Sequence, residues 1–359
     1  MIRILMAVLI GAISSAFLTR LLIDILRISR IGQPIREDGP QGHMTKTGTP
    51  TMGGLAIVLG ALLGYVLSGL ISSFIGRADG VFSPFTRSGL LVIGATCFAG
   101  FVGFLDDWIK ISRERNLGLN AKLKTAGLLL VAIGFAVLTV TYTSVSTELG
   151  FARNGLFGID LGPVGWVIWA VLIIYATSNA VNLTDGLDGL AAGSGIISFG
   201  AYAVISFWIF RQTVRLDVGE AIYQVEHGLD LAVVAAAMLA ACAGFLWFNA
   251  APAEIFMGDT GSLAIGTALA GLALTTGTHL LLPIIGGVFV LETASVMFQV
   301  AFFKVSKGKR LFRMAPIHHH FELGGWQETK VITRFWLIAG TLTLMGLVLF
   351  YADYQAVIS

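Results

Sequence analysis

The sequence predicts an all-α integral membrane protein of about ten transmembrane helices, with both termini on the extracytoplasmic side. Three observations carry that expectation. Of 359 residues, 56% are hydrophobic and only 12% charged, and the mean hydropathy is +0.84, whereas about 25% of residues are charged in water-soluble domains. Apolar runs of roughly 20 residues, the length that crosses the hydrocarbon core, recur along the whole chain. Between those runs the Lys and Arg residues alternate between dense and sparse, which sets orientation.

The first run, 4–26, lacks a small-residue cleavage site and precedes many further spans, so it reads as helix one and not as a removed leader. The others are 52–74, 88–107, 124–143, 164–183, 190–210, 229–249, 259–277, 281–303 and 334–352. With the N-terminus outside, segments 27–51, 108–123, 184–189, 250–258 and 304–333 fall on the inner side. With short flanks they carry about sixteen Lys and Arg against about six opposite, the asymmetry that faces the cytoplasm. The 44 glycines lie within apolar runs, where small residues let helices approach closely. Cys97 and Cys242 stand far apart with no CxxC or Cys/His spacing and read as buried thiols. A net charge of +2 gives no ground for a nucleic-acid partner. Without a fixed-period repeat or a long linker, residues 1–359 read as a single polytopic membrane domain with cytoplasmic active-site loops.

Polar groups at membrane depth must be satisfied or must line a wet cavity, so carboxylates and amides at the inner ends of spans are the informative residues. Asp106 and Asp107 end the third span; neighbouring helical positions point about 100° apart, so the two are expected to do different work. A pair of interfacial charges ending a span is the alternative. Asn179 to Leu190 is a polar break holding Asn179, Asn182, Asp185 and Asp188 among glycines that admit a close anion or metal. In the stretch 247–262, Asn249 and Phe256 precede Asp259, which opens the eighth span; a carboxylate there is equally a favourable helix cap. His318, His319 and His320 lie in the longest inner loop. They lack the spacing of a zinc site and suit donation to phosphate oxygens, with metal ligation or a solvated loop as alternatives.

Lys46, Lys122 and Lys124 could neutralise phosphates or could only serve orientation. Glu292 is a lone carboxylate inside the ninth run, either functional or a hydrogen-bonded helix contact. His43, His227 and His279 read as structural or loop residues. Hard carboxylate oxygens without thiolates indicate Mg²⁺ or Mn²⁺, bound partly through substrate phosphates. Acids for a metal and cations for phosphates, in a bilayer frame, favour phosphoryl transfer from a soluble donor to a lipid acceptor. A secondary transporter is the rival class; polar clusters on one face and the lack of repeats oppose it.

Four segments together resemble the polyprenyl-phosphate N-acetylhexosamine-1-phosphate transferase superfamily: Thr49-Pro50-Thr51-Met52-Gly53-Gly54, Asn179 through Leu190, Phe256 through Leu263, and Ala315-Pro316-Ile317-His318-His319-His320-Phe321-Glu322. The His-His-His-Phe-Glu run is similar to the branch that takes a muramoyl-pentapeptide donor. The resemblance covers nearly the whole chain. It implies a Mg²⁺-dependent enzyme of the bacterial plasma membrane with its active site facing the cytoplasm. In that reaction undecaprenyl phosphate attacks UDP-N-acetylmuramoyl-pentapeptide, giving UMP and lipid I, the first membrane step of peptidoglycan synthesis; a homodimer is compatible with it. Residue by residue, it implies Asp259 as principal Mg²⁺ ligand with Asp107 beside it, and Asp106 and Asp107 flanking the reacting phosphates. Asn179, Asn182 and Asp185 would lie near the substrate, and Asp188, Asn249, Phe256 and Lys46 would bind the nucleoside. His318, His319, His320 and Lys124 would contact the diphosphate or muramoyl region.

Overall fold

The computed structural model describes residues 1–28, 48–75, 84–113, 118–153, 156–215 and 228–358. Among them twelve helices follow in order: α1 (Ile2–Ile28), α2 (Gly54–Ile75), α3 (Arg87–Ser112), α4 (Ala121–Tyr142), α5 (Gly162–Thr184), α6 (Leu190–Arg215), α7 (Gly228–Asn249), α8 (Gly258–Thr275), α9 (Leu282–Ile285), α10 (Gly287–Val305), α11 (Ile317–Glu322) and α12 (Glu328–Ile358). Extended structure among the described residues is confined to one isolated antiparallel bridge, Glu148 with Asp160. The protein is an all-α, multi-pass membrane protein.

All ten predicted runs are helical, and among the described residues nine helices are long and apolar enough to cross a bilayer. The exception is α8, and its surroundings explain why. Residues 259–275 of α8 are all buried, because α2, α3, α5, α6 and α7 enclose it. A helix with no lipid contact need not be apolar, so α8 can carry Asp259, Thr260, Ser262 and Thr267. The ninth predicted run is broken: Pro283 opens the short α9, and Gly286 separates it from α10, as expected of a residue that costs helix stability. On the outer helices the apolarity faces outward. Leu5, Leu9, Ile13 and Phe17 of α1 are each more than 60% exposed, an i, i+4 stripe that only lipid can cover without aggregation.

One end of the bundle is pinned by a buried polar network. Asp230, at the start of α7, pairs with Arg3 of α1 at 2.7 Å. Its other oxygen accepts from the Tyr65 hydroxyl on α2 (2.8 Å) and from the N–H and hydroxyl of Thr86 before α3 (2.9 and 2.7 Å). The Arg3 guanidinium also lies over the Tyr65 and Phe85 rings. His279, in the turn after α8, is structural as expected. Its Nε2 accepts the Gly150 N–H at 2.9 Å, and burial pushes its pKa down to about 4, which keeps the ring a neutral acceptor.

The α5–α8 crossing leaves no room for a side chain at Gly266, where a Cβ would overlap the Ser178 backbone, whereas a Cβ on Gly134 of α4 meets nothing within 4 Å. Gly266→Ala is therefore expected to lower the melting temperature in detergent by the equivalent of about 1–3 kcal/mol, the usual cost of overpacking. Gly134→Ala is expected to be neutral or stabilising by about 0.5–1 kcal/mol.

Candidate active site

Four helix ends meet at the other end of the bundle. α3 runs past the predicted limit of 107 to Ser112, so Asp106 and Asp107 fall within its last two turns and Lys110 one turn further on. The first turn of α4 brings Lys124, the last turn of α5 brings Asn182, and the first turn of α8 brings Asp259. Asp106, Asp107 and Asp259 each offer a carboxylate oxygen within 4.8 Å of the others. Gly103 permits this approach, since a Cβ there would overlap the carbonyl of Asp259.

The three acids have different partners. Asp107 is 1% exposed, and its carboxylate accepts from the Asp259 N–H (3.1 Å), the Thr260 N–H (2.9 Å) and the Thr260 hydroxyl (2.7 Å). The first turn of any helix leaves N–H groups without intrahelical partners, and Met257 before α8 gives no side-chain cap. Asp107 supplies that cap from a neighbouring helix. A carboxylate has about four lone-pair sites, so three such bonds leave it room for little more than one further ligand. Asp106 accepts the Leu119 N–H at 2.8 Å and lies 2.6 Å from Lys110 Nζ. Asp259 is held by Lys110 (2.7 Å), Lys124 (2.8 Å) and the Asn182 amide; that amide also donates to Ser262 at 2.8 Å.

Lys110 is the residue that sequence reasoning passed over, counting it only as an inner-face charge. Its spacing of i+4 from Asp106 and i+3 from Asp107 was the available signal, but only if α3 continues to it. Of the two lysines left open on α4, Lys124 reaches Asp259, while Lys122 is exposed and its backbone N–H is capped by Asn120.

A second layer surrounds this cluster. Asp185 is half-buried; burial first, then the fields of Asp259, Asp107 and Asp188, push it up to about 8, with the Gly258 N–H pulling the other way. Asp188 accepts the Ala253 N–H at 2.9 Å, and its own N–H donates to Glu328 at 3.1 Å, tying the polar break to the 250–258 loop and to α12. The Asn249 amide donates to the Ile255 carbonyl at 2.9 Å, while its buried Oδ1 has no hydrogen bond among the described residues. Phe256 is half-buried; its N–H donates to Pro50 O and its carbonyl accepts from Gly53 N–H (2.8 and 2.9 Å), with Met52 held at φ +80° to make the turn. Asn179 bonds back to the Tyr175 carbonyl at 2.7 Å. Lys46 lies outside the described residues.

The histidine run was expected as loop and forms the short helix α11, in which the His318 and His319 rings meet edge to face at 4.1 Å between centroids but find different partners. His318 is buried, 3.0 Å from Glu292 on α10. His319 meets Glu322 at 2.7 Å, and His320 accepts the Arg313 N–H at 3.1 Å. The three side chains are thus not interchangeable.

The donor set fits a divalent cation. Four carboxylates, those of Asp106, Asp107, Asp185 and Asp259, face two ammonium groups, those of Lys110 and Lys124. Burial and the neighbouring carboxylates push Asp185 up, and a hard divalent ion held by one or two carboxylates would offset that crowding of negative charge.

The sequence profile of glycosyl transferase family 4 matches residues 89–277, the stretch that contains all three clustered acids. The chain is 50% identical to the phospho-N-acetylmuramoyl-pentapeptide-transferase of Streptomyces avermitilis, with 99% of each chain covered. It is likewise 50% identical to that of Frankia casuarinae, covering 98% of each. For that of Corynebacterium aurimucosum the identity is 48%, over 99% of this chain and 97% of the relative.

Removing the cap on α8 leaves buried N–H groups unpaired, at about 1–3 kcal/mol per group. Asp107→Ala is therefore expected to lower the melting temperature in detergent by the equivalent of about 2 kcal/mol, without any ligand present. Asp107→Asn, which keeps one acceptor oxygen, is expected to fall between the two.

Proposed function

The chain belongs to glycosyl transferase family 4 and, within it, to the phospho-N-acetylmuramoyl-pentapeptide transferases; on that premise we propose that it moves phospho-N-acetylmuramoyl-pentapeptide from its UDP-linked donor to undecaprenyl phosphate. The products are UMP and lipid I. The observation that carries this reading is the acid and lysine cluster of Asp106, Asp107, Asp259, Lys110 and Lys124 at one end of the helix bundle. There a nucleotide from water and a phosphate on a membrane lipid can meet. The density of Lys and Arg in the inner loops supports a cytoplasmic site in a bacterial plasma membrane, with both termini outside.

A phosphate oxygen of the lipid attacks the donor's β-phosphorus, and the bond from that phosphorus to the bridging oxygen breaks, leaving its electron pair on UMP. Two anions must approach each other, so the residues that matter most are those that offset charge. Lys110 and Lys124 stand within 2.8 Å of Asp259 and would turn to the diphosphate. Asp259, oriented by Asn182, would hold Mg²⁺ with Asp107 or Asp106 as its neighbour. When bound, that ion supplies Lewis-acid stabilisation of the phosphate oxygens. By capping α8, Asp107 fixes the backbone that carries Asp259. Asp106 positions Lys110 at 2.6 Å, and no general base is required, because a phosphomonoester with its second pKa near about 6 is largely dianionic at neutral pH. The half-buried Phe256 ring offers a stacking face for uracil and the unpaired Asn249 Oδ1 an acceptor for its N–H. Asn179, Asp185 and Asp188 complete the donor side, to which the family resemblance also assigns Lys46, with His319 and His320 assigned to the diphosphate or muramoyl group and His318 buried against Glu292.

Purified protein with undecaprenyl phosphate is expected to release UMP from UDP-N-acetylmuramoyl-pentapeptide only with Mg²⁺, and Asp259→Ala is expected to reduce that rate by at least about 10²-fold. Release from UDP-N-acetylglucosamine alone would overturn the donor assignment. Mg²⁺ is further expected to raise the melting temperature of the wild-type protein and not of Asp259→Ala. A phosphorylated enzyme trapped without lipid acceptor would overturn the one-step route.

A further inference from the structure

Glu292 and His318 form an ionisable contact apart from the acid and lysine cluster. His318 Nδ1 lies 3.0 Å from Glu292 Oε2 and both side chains are 0% exposed; the two are in ion-pair contact, and none of their side-chain N and O atoms makes a hydrogen bond among the described residues. On α10, Val288, Glu292 and Ser295 recur at i, i+4 and i+7 and are buried, while residues from 296 onward are not. Glu292 therefore occupies the middle of the helix's inward stripe, where an apolar side chain would fit. An ionisable group in that place carries a desolvation cost that a partner must offset.

The other edge of the His318 ring meets the polar break between α5 and α6. A Cβ on Gly186 would overlap His318 Nε2 and lie 2.9 Å from Cε1, and the three atoms nearest to it all belong to that ring. The backbone at Gly186 is not in the left-handed region, so the ring, and not the chain's conformation, demands glycine here. Gly186 follows Asp185 directly, and Asp188 two residues later is tied down through Ala253 and Glu328. The ring is thus wedged between a carboxylate on one helix and the loop that carries two acids of the site.

We infer that Glu292 is a positioning residue: it clamps the His318 ring against Gly186, and the clamped ring sets the place of the Asp185 to Asp188 loop on the donor side of the site. A carboxylate that orients a histidine through Nδ1 is a common device for fixing both the ring and what its other nitrogen faces. The meaning of "donor side" rests on the proposed reaction. Misplacing such a loop by about 1 Å can cost roughly 10²-fold.

The test is a double-mutant cycle on the full-length protein in detergent, with each substrate varied in turn and the melting temperature recorded. Glu292→Ala frees the ring from one side and Gly186→Ala displaces it from the other. Each is expected to raise the KM for UDP-N-acetylmuramoyl-pentapeptide about tenfold or more while leaving the KM for undecaprenyl phosphate unchanged. The double variant is expected to be no worse than the worse single one. Glu292→Gln, which retains an acceptor, is expected to be milder and replaces Glu292→Ala if that protein is not recovered folded. Partial unfolding would lower kcat and move neither KM; that result, an equal rise in both KM values, or effects that multiply would overturn the inference. If the wild-type protein released no UMP from this donor, the proposed reaction would fall and the cycle would be read in melting temperature. Shifts that fail to add would then support the clamp, and additive shifts would overturn it.

Discussion

The architecture depends on one requirement, that the charged first turn of α8 be satisfied inside the bundle. Buried N–H groups and carboxylates cannot fall back on solvent. Asp107 accepts from the buried N–H groups of that turn, and Lys110 and Lys124 face Asp259. Partners on α3, α4 and α5 can reach only if those helices close around α8, and glycine at 103 lets α3 come into backbone contact. The enclosure then releases α8 from the need to be apolar, which is why the most buried helix can carry Asp259, Thr260, Ser262 and Thr267 along its length. Satisfying the site and building the core are therefore one process.

The opposite end solves the same problem with different groups. Arg3, Tyr65, Thr86 and Asp230 tie α1, α2, the start of α3 and α7 into one buried network. Truncating one partner of such a network leaves the others desolvated and unpaired, so its members stand or fall together. α3 belongs to both ends: Thr86 precedes it in the network, and Asp106, Asp107 and Lys110 close it at the site. Its register is thus held from both directions, which suits a helix that must place three charged groups relative to a fourth on α8.

Much of this was legible in the sequence, for physical reasons that also mark where legibility stops. Span length and apolarity follow from bilayer thickness, so the ten runs could be read directly. The acids could be read because a carboxylate at a span end is costly without a purpose. Lys110 could not, because a lysine near an inner span end already satisfies the orientation rule, and only the extra turn of α3 to Ser112 brings it back to the acids. The capping work of Asp107 depends on a partner 152 residues away, a separation that no local periodicity encodes. Contact between Glu292 and His318 is hidden in the same way, and the histidine run read as three equal donors because nothing local to it shows that Pro316 opens a helix.

That helix changes how the phosphate side of the site should be understood. Although the His318 and His319 rings touch, the three histidines of α11 are engaged by three different partners. His318 is held by Glu292, His319 by Glu322, and His320 by the backbone of Arg313. Asp106 is likewise engaged at both oxygens, by Leu119 N–H and by Lys110, so taking a proton from a substrate would first require displacing one of those donors. Side chains already held in place make a poor set of proton carriers and a good electrostatic template. For two phosphates that must approach as anions, a template is what the reaction needs: the gain comes from fixed charge that does not have to reorganise when the bond forms.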